Sequence, residues 1–137
     1  MLQPLKMPSE KDMLIIDGNR DNMAEGVSVN GSVIFVSAKG NANLYENLTV
    51  RNCKKQGNDR VLDEAYGVSY PKTVGGAVGI LTKSATMNIY GGTYENNAVN
   101  NSGNSIYGGA FYNFGTMKVY GGDFNNNTAN RGGAFYN

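Results

Sequence analysis

The sequence predicts an all-β fold, a single-stranded parallel β-helix with short coils, and three observations predict it. The hexapeptide Gly108-Gly109-Ala110-Phe111-Tyr112-Asn113 returns unchanged as Gly132-Gly133-Ala134-Phe135-Tyr136-Asn137, at an offset of 24 (132 − 108). A looser copy, GGAVGI, opens at Gly75, at an offset of 33 (108 − 75). Between these copies, Thr86-Met87-Asn88-Ile89-Tyr90 and Thr116-Met117-Lys118-Val119-Tyr120 alternate with the period of two that marks a pleated strand, and each meets a Gly pair. A unit of that length, with short strands and no helical period, is too small to close on itself. It suits one turn of a stacked array whose equivalent side chains lie over one another.

Taken in order, residues 1–13 are polar with Pro4 and Pro8, and read as an irregular arm or N-terminal cap. Leu14-Ile15-Ile16-Asp17-Gly18-Asn19 reads as a strand entering a turn. In Val27–Val36 the Asn30-Gly31 pair fits either a hairpin or a tight corner between two strands of one coil, and the coil-like stretch after it favours the corner. Residues 14–53 form degenerate coils: Val50 and Asn52 match Tyr94 and Asn96 at an offset of 44 (94 − 50, 96 − 52). Residues 54–73 read as a charged insertion of unknown role, and residues 75–137 as the regular repeats. Within those, Thr93-Tyr94-Glu95-Asn96-Asn97 and Asp123-Phe124-Asn125-Asn126-Asn127 recur at an offset of 30 (124 − 94). The array stops inside a unit, with an uncapped C-terminal end, so the expectation is a fragment of a longer array or an end covered by another copy.

Composition removes several kinds of chemistry. The 137 residues carry a net charge of +1, which gives no footprint for nucleic acid. Residues 73–137 hold only Lys83, Lys118, Arg131, Glu95 and Asp123 as charged side chains. There is no histidine, so imidazole bases, Ser-His-Asp triads and His-ligated metals are excluded. The single cysteine, Cys53, reads as a small buried apolar residue. No stretch of about 20 apolar residues could cross a membrane, and the first residues lack the apolar core of an export signal.

The motifs Gly75-Gly76-Ala77-Val78 and Phe124-Asn125-Asn126-Asn127 resemble the GGA(I/L/V) and FxxN motifs of the chlamydial polymorphic outer-membrane proteins. The longer pattern is similar to adhesin-like repeats of bacterial and archaeal surface proteins, all of the right-handed parallel β-helix, or pectin-lyase-like, superfamily. The resemblance covers residues 75–137 well and 14–53 weakly. It departs at GGAF, where Phe replaces an aliphatic, at the YxxN headed by Tyr94 and at the VxxC headed by Val50. It implies a cell-surface or secreted protein with an adhesive or stalk-like role, and it carries over no catalytic residue.

The Gly pairs recur with the repeat and no Gly-Lys-Ser/Thr follows them, so they read as scaffold rather than phosphate loops. The Asn runs read as ladders and turn hydrogen bonds before they read as calcium or glycan ligands. No metal or cofactor is expected. Glu95 and Asp123, in neighbouring coils and two residues out of register, are the candidates for a glycan-cleaving carboxylate pair. Tyr90, Tyr120 and Tyr112 are the candidates for an exposed sugar-stacking ladder. Phe111 and Tyr112 must point to opposite faces of their strand, and which one is core stays open. The expected function is non-enzymatic: a structural or adhesive segment that binds glycan or a host or cell-surface protein, with self-association through the last coil as a further possibility. The alternative is a glycan-active β-helix, a lyase, hydrolase or tail-spike depolymerase fragment.

Overall fold

The computed structural model describes residues 13–18, 34–36, 39–56, 60–63, 68–71, 76–80, 82–100 and 107–137. The N-terminal arm before Met13, the Asn30-Gly31 corner, Gly75 and parts of the charged insertion lie outside the described residues. Every described element is a β-strand: β1 (Leu14–Asp17), β2 (Ile34–Val36), β3 (Asn41–Leu44), β4 (Leu48–Arg51), β5 (Lys54–Gln56), β6 (Arg60–Asp63), β7 (Val68–Pro71), β8 (Val78–Ile80), β9 (Thr86–Ile89), β10 (Thr93–Glu95), β11 (Ala98–Asn100), β12 (Phe111–Asn113), β13 (Thr116–Val119), β14 (Asp123–Asn125) and β15 (Phe135–Tyr136).

Four parallel sheets take one strand from each pass of the chain. The first orders as β2-β8-β12-β15, the second as β3-β9-β13, the third as β1-β4-β10-β14, and β5 with β11 makes the fourth. A bridge from Ala98 to Thr128 extends the fourth sheet by one position. From β2 onward the chain enters first, second, third and fourth sheets in that order, and then returns to the first.

The registers are those the repeats predict. Phe111 lies beside Phe135 and Val78. Met87 lies beside Met117, Tyr94 beside Phe124, and Tyr94 beside Val50. Even the degenerate stretch 14–53 contributes in-register strands, with Leu14 beside Leu48 and Ala42 beside Met87.

The charged insertion begins later than its composition suggests. Lys54–Gln56 is β5, paired in parallel with Ala98–Asn100, so residues 54–56 belong to the repeating sheets. Lysine-rich composition hid a strand whose backbone the next pass holds in place. Further on, β6 and β7 pair antiparallel, the one departure from parallel pairing among the described strands.

The core runs between the sheets. Val78, Ile80, Met87, Ile89, Val50, Tyr94 and Phe111 are fully buried. In β9 the burial alternates, half-buried then buried, as a strand with one covered face requires. Phe111 turns inward and Tyr112 outward, which answers the question the sequence left open. Tyr94 packs parallel to Phe124 at 5.2 Å and edge-on to Phe111 at 4.7 Å, so aromatic rings stack through the core as the strands do outside it. The buried Tyr94 hydroxyl donates to the Gly91 carbonyl at 3.2 Å.

The GGA motif has a separate reason for each residue. Gly108 and Gly132 have φ of 66° and 64°, the left-handed region that a Cβ disfavours. At Gly109 a Cβ would stand 2.0 Å from the Gly133 carbonyl oxygen of the next pass. Ala110 and Ala77 are wholly buried.

Candidate functional site

The corner between third and fourth sheets is the same length in every pass, and asparagine builds it. Asn52, Asn96 and Asn126 take positive φ of 55°, 55° and 53°, a conformation asparagine tolerates better than most residues. The next residue turns inward. The Asn97 side chain donates to the Val50 carbonyl at 3.0 Å and accepts the Cys53 backbone N–H at 3.1 Å. Asn127 repeats this one pass on, donating to the Tyr94 carbonyl at 2.8 Å and accepting the Asn97 N–H at 3.1 Å. The FxxN motif is therefore a clamp: its last Asn ties each pass to the one before. Cys53 stands where the clamp asparagine would be. Burial pushes its thiol up to about 11; a backbone hydrogen bond from Gly18 opposes the shift and the Asp17 charge adds to it. These asparagines are occupied by backbone and offer little to a ligand.

The outward face of the second sheet is different. Its three strands present three columns, running across the strands: Asn41, Thr86 and Thr116; Asn43, Asn88 and Lys118; and Tyr45, Tyr90 and Tyr120 just past the strand ends. The Asn88 side chain donates to Asn43 at 2.9 Å, so the middle column is itself an amide ladder. Tyr45 and Tyr90 stack at 5.4 Å with 12° between planes, and Tyr90 and Tyr120 at 5.1 Å with 6°. All three rings are exposed, Tyr120 to 63%. The Tyr45 ring was not singled out by the sequence reading; its signal is the offset of 45 from Tyr90 (90 − 45), which β3 and β9 share.

This geometry brings Tyr90 and Tyr120 together as expected, but it changes what they can offer. The faces of Tyr90 are taken by Tyr45 and Tyr120, so at Tyr90 a sugar meets the ring edge and hydroxyl rather than an open aromatic face. Hydroxyls and carboxamides both donate and accept, and that mixed set suits a polyhydroxylated ligand. Tyr112 lies elsewhere, on the outward face of the first sheet, stacked on Tyr136 at 5.8 Å.

Glu95 pairs with Asn125 and Asp123 with Thr93, so the two carboxylates lie diagonally on the outward face of the third sheet. Strand rise and spacing put their Cα atoms about 8 Å apart. Asp123 is exposed and Glu95 half-buried. Carboxylate separation alone is within reach of glycoside chemistry, yet a flat outer face neither distorts a sugar ring nor excludes water. On the same face Arg51 binds Asp17 at 2.9 Å and stands next to Glu95, so negative, positive and negative charges alternate up the column. Such alternation fixes register more than it performs chemistry.

Among the described residues no group of three or more His, Cys, Asp or Glu is placed to hold a metal ion. No described helix is long and apolar enough to cross a membrane, which says nothing about a β-barrel. Comparison with known proteins gives no match to a family model, a curated protein or a solved structure.

Proposed function

We propose that the four parallel sheets are the walls of one right-handed, single-stranded parallel β-helix, and that this chain is a non-enzymatic adhesive segment of a cell-surface or secreted protein. What supports the helix is the constant order in which the chain visits the sheets, together with the preference for right-handed crossovers between parallel strands. The ligand class is glycan, and the outward face of the second sheet receives it. The observation that carries this reading is the exposed Tyr45–Tyr90–Tyr120 stack beside the Asn43–Asn88 ladder. In-register stacking aligns these side chains, and the exposure of the three tyrosines leaves that row open to a ligand.

A glycan array tests it. Retained glycans should be lost, or weakened about tenfold, in Tyr90→Ser and Asn88→Ala, each costing on the order of 1–2 kcal/mol of binding. Absence of binding by the parent protein, or undiminished binding by both variants, contradicts the assignment. The glycan-active alternative has the Glu95–Asp123 diagonal in its favour; product release from a polysaccharide panel, abolished by Glu95→Gln, would replace the adhesive reading.

A further inference from the structure

The passes differ in length most at one place. The step from the fourth sheet back to the first is 24 from Lys54 to Val78 (78 − 54), 13 from Ala98 to Phe111 (111 − 98) and 7 from Thr128 to Phe135 (135 − 128). The step from the third sheet to the fourth is constant at 5 (54 − 49, 98 − 93, 128 − 123). In repeat arrays, variable connections gather on one side, and that side often binds. Four side chains converge there.

Tyr107 and Arg131 hold equivalent places in successive passes, joined by a parallel bridge. The left-handed turn at Gly108 comes at once after Tyr107 and folds the chain back toward the first sheet. It brings the Tyr107 ring 4.3 Å from Tyr136 and 6.3 Å from Tyr112. Tyr107 and Tyr136 are inclined at 42°, and Tyr107, Tyr112 and Tyr136 are each half-buried, so part of each residue stays open to solvent. The Arg131 guanidinium lies 5.8 Å from the Tyr107 ring centre, and its residue is exposed. Among the described residues the one ion pair joins Arg51 to Asp17, so Arg131 has no carboxylate there. Burial, followed by the neighbouring Tyr136 and Tyr107 phenols, pushes the Tyr112 hydroxyl above its ordinary range, which supports the close grouping of the three phenols.

We propose that Tyr107, Tyr112, Tyr136 and Arg131 form a second binding site, separate from the second-sheet face, for a sugar bearing a carboxylate. A guanidinium laid against a ring keeps its N–H edge free, and that edge matches a planar carboxylate with two parallel hydrogen bonds. The inclined rings receive the C–H face of the sugar, and the phenols exchange hydrogen bonds with its hydroxyls. A neutral sugar would leave the guanidinium without its partner and bind more weakly.

Chemical-shift titration with methyl β-glucuronide, its methyl ester and methyl β-glucoside tests the site on the intact chain. The glucuronide is expected to shift the Arg131 Nε–H signal and the Tyr107, Tyr112 and Tyr136 rings. It should bind about tenfold more tightly than the ester or the glucoside. Arg131→Gln should remove that preference, Arg131→Lys should restore part of it, and Tyr90→Ser should leave it untouched. Equal binding of acid and ester, shifts confined to Tyr45, Tyr90 and Tyr120, or equal response to inorganic sulfate would each overturn the proposal. The preference for acid over ester and its loss in Arg131→Gln are read whether or not the second-sheet face binds glycan.

Discussion

The Asn97 carboxamide spans two passes, donating to the Val50 carbonyl at 3.0 Å while accepting the Cys53 N–H at 3.1 Å, and the residue is wholly buried. Its removal leaves the Cys53 N–H without a partner in a place water does not reach, and takes one of the hydrogen bonds to the Val50 carbonyl. Asn97→Ala is therefore expected to lower stability by about 2–4 kcal/mol, read as a drop in the denaturation midpoint at constant m-value. Asn127→Ala, at a half-buried position, is expected to cost only about 1 kcal/mol. Equal effects at the two positions would show that the clamp does not act through burial.

The two glycines of successive GGA motifs separate close approach from composition. A Cβ at Gly109 would meet the Gly133 oxygen at 2.0 Å and the Thr128 nitrogen at 2.5 Å, both backbone. At Gly133 the nearest atom is the Asn127 oxygen at 3.3 Å. Gly109→Ala is expected to cost about 3 kcal/mol or more, and Gly133→Ala less than about 1 kcal/mol, by the same measurement.

Core rings give a second comparison. Phe111 is wholly buried, 5.1 Å from Phe135 and 4.7 Å from Tyr94, whereas Phe135 is half-buried. Phe111→Ala should destabilise by about 3–5 kcal/mol, and Phe135→Ala by distinctly less, in thermal or chemical unfolding.

Cys53 sets a dependence on alkaline pH. Its thiol ionises near 11 in the folded chain, above its value when unfolded, so below the unfolded value its full contribution is present. As pH rises from the ordinary thiol range through 11 the unfolded chain loses its proton first, and stability falls by about 2 kcal/mol. Cys53→Ser should remove that part of the alkaline loss. At neutral pH the native thiol is expected to resist a maleimide reagent and to react only on unfolding.

Much of this arrangement was legible because it rests on spacing. The offsets of 24, 30, 33 and 44 became strand registers directly, as at Phe111–Phe135, Tyr94–Phe124, Phe111–Val78 and Tyr94–Val50. The VxxC headed by Val50 was legible as a departure from FxxN, and it proved to be the same clamp corner with a thiol in place of an amide. Two things were not legible. Lys54-Lys55-Gln56 carries no apolar alternation, and only pairing with the next pass makes it a strand. The ring orientations on the second-sheet face were also hidden, because a tyrosine column in sequence fixes position and not which surface of each ring is covered.

Equivalent residues of successive passes lie side by side in parallel. Engineered disulfides measure it most directly, since a bond forms readily only when Cα atoms are roughly 4.4–6.8 Å apart. In a Cys53→Ser background, Asn88→Cys with Lys118→Cys is expected to oxidise rapidly and intramolecularly, because these outward residues are register partners in β9 and β13. Asn88→Cys with Thr116→Cys, displaced by two residues, should oxidise far more slowly. Equal rates for the two pairs, or no bond in either, would contradict the parallel in-register arrangement.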